Sequence, residues 1–138
     1  MTARDDIKAG DRIVHKVFPP ITRHTLALYC GASGDHNPIH LDDEFAKTTR
    51  FGRRIAHGML SGAFISAVLG YEFVERKIVY LSQSLKFTAP VYIGDTVTTT
   101  ASITKIREDK GIVTLDTACT NQAGETVVTG EAVVMLLP

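Results

Sequence analysis

The chain has 138 residues, with Lys plus Arg and Asp plus Glu at 15 each, so its formal net charge is zero and no general basic surface for nucleic acid is expected. The length suits one domain, residues 1–138, with a real core. Met1–Asp6 has no apolar run of signal-peptide type, the apolar stretch Met59–Leu69 is too short for a bilayer, and Cys30 and Cys119 lack C-x-x-C spacing; the expectation is a cytoplasmic protein with reduced thiols and no membrane partner.

Arg12 to Phe18, rich in β-branched residues, reads as a first strand ended by Pro19-Pro20. Thr22 is a fitting N-cap for a helix running to about Ala32, with Leu26, Ala27 and Cys30 on one face. Pro38 suits a helix start, and Asp42 to Thr49 reads as a short helix. Gly58 to about Glu75 is predicted as a long helix, apolar on nearly all sides and therefore buried. Four segments of strand character follow: Lys77–Phe87, Thr96–Arg107, Ile112–Asn121 and Thr126–Leu137, divided by turn signals around Ala89-Pro90 with Gly94-Asp95, at Asp109-Lys110-Gly111 and at Gln122-Ala123-Gly124. The expected class is α+β, a hot-dog fold in which a curved antiparallel sheet wraps one long central helix. Its open sheet edge calls for pairing with a second copy, a homodimer.

Ser33-Gly34-Asp35-His36-Asn37-Pro38-Ile39-His40 packs a carboxylate, two imidazoles, an amide, a glycine and a proline into eight residues. Acid–base chemistry needs a proton acceptor and a donor near one reacting centre, and Asp35 and His40 are the pair proposed for it. The bland readings are an Asx-turn or helix cap for Asp35 and a satisfied interior imidazole for His40. Asn37 reads as a cap or a brace of the Asp35 loop. A metal held by Asp35, His36 and His40 is disfavoured, because Pro38 interrupts the helix that would put both imidazoles on one face and His57 is the only further ligand in prospect. His57-Gly58 opens the long helix, whose first amides and dipole attract a developing oxyanion.

These residues, with Phe45-Ala46 and Ile55-Ala56-His57-Gly58-Met59-Leu60, resemble the hydratase motif of MaoC-like (R)-specific enoyl-CoA hydratases. Tyr80–Phe87, Pro90–Asp95 and Gly130–Val134 resemble the same family, and the likeness runs from about Gly10 to the end. The chain is most similar to the short single-domain hydratases that supply (R)-3-hydroxyacyl-CoA for polyhydroxyalkanoate synthesis. One departure is the Tyr71–Ile78 connection, which lacks the Pro-Gly turn of close relatives.

The resemblance implies that Asp35 and His40 are catalytic, that the Gly58 amide faces the thioester oxygen, and that Ser66, Asn37 and His57 belong to the substrate site. It implies reversible addition of water to a trans-2-enoyl-CoA, giving the (R)-3-hydroxyacyl-CoA. No cofactor and no metal is expected, CoA being part of the acyl-CoA thioester substrate. Lys86, Lys105 and Arg107 are candidates for the CoA phosphates. The alternatives are a 3-hydroxyacyl dehydratase acting on an acyl carrier protein, or a subunit of one. A thioesterase using Glu72 or Glu75 on the long helix, and a non-catalytic acyl-CoA binder, fit less well.

Overall fold

The computed structural model describes residues 7–73 and 77–138, with backbone alone for residues 13–15. The first strand, β1 (Arg12–Val17), leads into α1 (Arg23–Ser33), which Thr22 caps. The Thr22 hydroxyl accepts the Thr25 amide, and Thr25 Oγ1 accepts the Thr22 amide in return, satisfying two orphan donors at once. Leu26 and Cys30 are the buried stripe of α1. The helix stops at Gly34, whose φ of 77° suits a residue without Cβ, and the chain turns there into the Asp35 loop.

Two short helices follow, α2 (Pro38–Leu41) and α3 (Asp43–Lys47), the latter narrower than the Asp42–Thr49 span predicted. The long helix α4 runs Gly58–Glu72. Glu75 and the middle of the Tyr71–Ile78 connection lie outside the described residues.

The remaining strands are β2 (Ile78–Gln83), β3 (Lys86–Phe87), β4 (Thr98–Arg107), β5 (Ile112–Thr120) and β6 (Thr126–Leu136). They form one antiparallel sheet in the order β1-β4-β5-β6-β2, with β3 continuing beside β6. The single strand expected over Lys77–Phe87 is therefore broken. Its register on β6 shifts between Tyr80 and Ser82, and Ser84 bonds to Glu131 through its backbone amide before β3 begins. Along β4, Thr99, Ala101 and Ile103 are buried while Thr98, Thr100 and Ser102 are half-buried, the period of two that the sequence carries. A register shift after Ile103 ends that alternation.

The core lies between the concave side of the sheet and α4. Ile65, Val68 and Leu69 of the helix pack in one cluster with Val97, Ile103, Val113, Leu115 and Val134 from the sheet region. This is the hot-dog arrangement. The helix is only half covered, however: Met59, Ala63, Ser66, Ala67, Gly70 and Tyr71 are exposed, where an all-round apolar sequence predicted burial on every side.

Candidate active site

The site is assembled by three short pieces of chain. Asn37 caps α2, its side-chain oxygen accepting the Ile39 amide, and Pro38 occupies the first turn where no amide is needed. That fixed turn carries His40 inward to near-complete burial. Asp35 stays exposed, and its carboxylate accepts the Asn37 amide at 3.1 Å. So Asn37 serves through its backbone and its cap, bracing the loop.

The second piece is the extended segment through Ile55 and Ala56. It is tied on one side to Ile39 and on the other to Val91, by Ile55 N–H to the Ile39 carbonyl and Ala56 N–H to the Val91 carbonyl. The Ile55 carbonyl accepts from His40 Nδ1 at 2.8 Å. A carbonyl only accepts, so the proton sits on Nδ1 and Nε2 is left with its lone pair. Burial holds the His40 pKa below its ordinary value, with His57 adding in the same direction, against the opposing pull of the Ile55 carbonyl and Asp35.

The third piece is His57 with Gly58 at the start of α4. The His57 ring is stacked on His40, centroids 3.8 Å apart, and the Tyr29 ring packs tilted against His57 at 4.6 Å. His57 Nε2 donates to the Asp35 carbonyl at 3.1 Å and lies 3.5 Å from Cys30 Sγ. Its Nδ1 is buried without a hydrogen-bond partner among the described residues. His57 thus backs both proposed acid–base residues, beneath the ring of one and bonded to the backbone of the other. Gly58 follows as the first helical residue, its amide among those α4 cannot satisfy internally. A Cβ there would stand 2.8 Å from the Phe87 ring and would have to displace it, which glycine avoids.

Ligand atoms of Asp35, His40 and His57 lie within 4.8 Å of one another. The two rings are nevertheless stacked at an interplanar angle of 25°, so their lone pairs lie in nearly parallel planes and do not converge as a tetrahedral metal requires. The His57 Nε2 proton is also committed to the Asp35 carbonyl. The set suits proton transfer, with an exposed carboxylate beside a neutral imidazole.

A cavity of about 420 Å³ has Gly58, Ser61, Phe87, Pro90 and Arg50 in its lining, while Asp35 and His40 do not line it. Ser66 lies elsewhere, on the exposed face of α4 and about 12 Å along the axis from Gly58. Glu72 ends that helix, about 21 Å from Gly58, which removes it from this site. Lys105 and Arg107 also stand away from the cavity. Val128 on its wall pairs across β5 to Thr99, and Lys105 is six residues further along β4, about 20 Å. Arg107 is engaged with Asp109 at 3.1 Å.

Sequence reasoning missed Arg54. Its buried guanidinium donates to the carbonyls of His40 (3.2 Å) and Leu41 (3.1 Å) and to the Asp43 carboxylate (3.0 Å). Asp43 in turn pairs with Arg23 of α1 at 2.9 Å. The only signal was an arginine directly before the apolar pair Ile55-Ala56.

A helix cradled by a curled antiparallel sheet, with a carboxylate and two imidazoles at the helix start, defines a hot-dog protein arranged for acid–base chemistry. The MaoC like domain model matches residues 7–124, and the chain belongs to that family. An (R)-specific enoyl-CoA hydratase of Rhodospirillum rubrum is 47% identical over 132 residues, spanning 96% of this chain and 90% of that protein. A protein of the same description from Aeromonas caviae is 48% identical over 111 residues, 80% of this chain and 83% of its own. Among solved structures, the (R)-hydratase from A. caviae involved in PHA biosynthesis superposes with a TM-score of 0.89 at 41% identity, covering 96% of this chain and 99% of that one.

Proposed function

We infer that this chain is an (R)-specific enoyl-CoA hydratase, a hydro-lyase that reversibly adds water across the double bond of a trans-2-enoyl-CoA to give the (R)-3-hydroxyacyl-CoA. The observation that carries the reading is the meeting of Asp35 and His40 beside the start of α4, in a chain 47% identical to a hydratase of that specificity.

A conjugated thioester is electrophilic at C3. In the mechanism we propose, Asp35 and the His40 Nε2 lone pair hold a water molecule and take its proton as its oxygen bonds to C3. One of the two then delivers a proton to C2, so the elements of water are added and no electrons are transferred overall. Negative charge that builds on the thioester oxygen meets the Gly58 amide and the positive end of α4. His57 holds the pair in register from behind.

The same reading makes the protein a cytoplasmic homodimer supplying (R)-3-hydroxyacyl-CoA for polyhydroxyalkanoate synthesis. In support stand the description of the A. caviae structure and the uncovered apolar face of α4. No described helix is long and apolar enough to cross a membrane.

The test is loss of enoyl absorbance with crotonyl-CoA, followed by chiral analysis of the product. Wild-type protein should yield the (R)-alcohol. Asp35→Asn and His40→Gln should each lower kcat by about 10²–10⁴-fold while circular dichroism stays native. An (S)-product, or variants that keep full activity, would overturn the assignment.

A further inference from the structure

Resting on the hydratase reading, we propose that the turn Arg50–Arg53 is the phosphate-holding mouth of the substrate channel, with the cavity behind it taking the pantetheine arm that joins thioester to phosphate. The cavity's 420 Å³ falls in the range of small-molecule sites, about 300–1,000 Å³. Its lining offers three kinds of surface. Gly58 is part of it, whose amide faces the thioester oxygen in the mechanism above. Arg50 is the one charged residue among those lining it, and Phe87, Ala89, Pro90 and Val91 give an uncharged wall. A pantetheine thioester calls for the same three: a donor for an acyl carbonyl, an uncharged surface for a long neutral arm, and a cation for a phosphate.

The arginines are held ready for an anion. The Arg50 guanidinium lies 4.9 Å over the Phe51 ring, itself a cavity wall, and that of Arg53 lies 4.0 Å over Tyr92. Tyr92 forms an isolated β-bridge with Ile55, so the second stack is anchored on the extended segment that leads to His57. The Gly52 amide closes the turn on the Thr49 carbonyl. Neither arginine has a carboxylate partner among the described residues, whereas Arg23, Arg54 and Arg107 are each paired with an aspartate. Stacking restricts the side chains without neutralising them, which leaves two positive charges in one turn for a phosphate to meet.

The phosphate has two sources: CoA, or the phosphopantetheine of a carrier protein. Crotonyl-CoA, crotonyl-pantetheine (which lacks phosphate) and a crotonyl-loaded carrier protein should be compared on wild type, Arg50→Ala, Arg53→Ala and the double variant. Binding of desulfo-CoA and of pantetheine should be measured in parallel by calorimetry. The double variant should raise KM for crotonyl-CoA about ten-fold or more, with kcat within two-fold and crotonyl-pantetheine unaffected. Desulfo-CoA should lose affinity by the same factor, and less so at high ionic strength. A matching KM rise with the carrier protein would identify the shared phosphate ester of the pantetheine arm as the group held; a rise with CoA alone would assign the contact to phosphates that only CoA carries. Equal losses with crotonyl-pantetheine, or no change in desulfo-CoA binding, would overturn the proposal. Calorimetry separates the two readings. Arginine-dependent desulfo-CoA binding without turnover would sink the hydratase and keep the phosphate mouth, while turnover insensitive to both arginines would do the reverse.

Discussion

His40 shows how one hydrogen bond sets the chemistry available at a residue. Its Nδ1 proton is spent on the Ile55 carbonyl, so Nε2 is the only atom with which it can take a proton from water. Burial lowers its pKa, which keeps that lone pair free at neutral pH. The acidic limb of kcat/KM should therefore have its midpoint below 6.5, the ordinary histidine value, and be lost in His40→Gln measured on its residual rate. A midpoint above 6.5 would mean that the protonated ring is favoured, against this geometry. Stability follows the same sign: the unfolded chain binds the proton more readily, so the contribution of the neutral buried ring is fully present above pH 6.5 and is lost as pH falls from there through the lower folded value. That Asp35 and His40 come together was legible in the sequence because both fall within one eight-residue stretch. The stacking of His57 was not, since it depends on a return of the chain 17 residues later that spacing does not encode.

At the scale of elements, α2 is a single turn and is too short to be stable alone. It is held from outside, by the Asn37 cap at one end and by Arg54 at the other, where the guanidinium takes the His40 and Leu41 carbonyls that no further helical turn will satisfy. Through Asp43 and Arg23 the same group joins α1, α2 and α3. Arg54→Met should cost about 2 kcal/mol, a figure kept low because Asp43 is 48% exposed and retains Arg23, and should lower Tm by roughly 8 °C. A thermal melt within 1–2 °C of wild type, as is about usual for surface changes, would show the clamp to be dispensable. The Thr22 cap, the proline start of α2 and the three long hairpin strands were readable because each rests on local residues: a hydroxyl, a ring, a Gly-containing turn. The break between β2 and β3 was not, because it comes from where β6 lies across the sheet. The reach of Lys105 and Arg107 was misjudged for the same reason: nearness in sequence to strand ends says nothing of which end of the sheet holds the cavity.

At the scale of the whole molecule, the described residues leave an apolar face without cover. Met59 is 54% exposed and Tyr71 76% exposed on the outer side of α4, with Ala63, Ala67 and Gly70 between them. At the sheet's end, Val79 and Leu81 of β2 stand exposed at 42% and 47%. Water-facing patches of this extent mark association surfaces, and a sheet edge beside one offers hydrogen bonds as well. The small residues in the middle of the α4 face permit close approach of a second helix, and the occupant we expect, since most oligomers are symmetric, is another copy of the chain. Ser66 lies on that same face. Its absence from the chain's own cavity is therefore compatible with a role across a pair of chains. Sedimentation equilibrium should return twice the 15.0 kDa chain mass for the wild type. Ala63→Glu places a charge where the helices would meet and should shift the mass to that of one chain, with crotonyl-CoA hydration falling in step if the pair completes the site. A wild-type protein that is monomeric and fully active would show that the exposed face of α4 is covered by nothing this reaction needs.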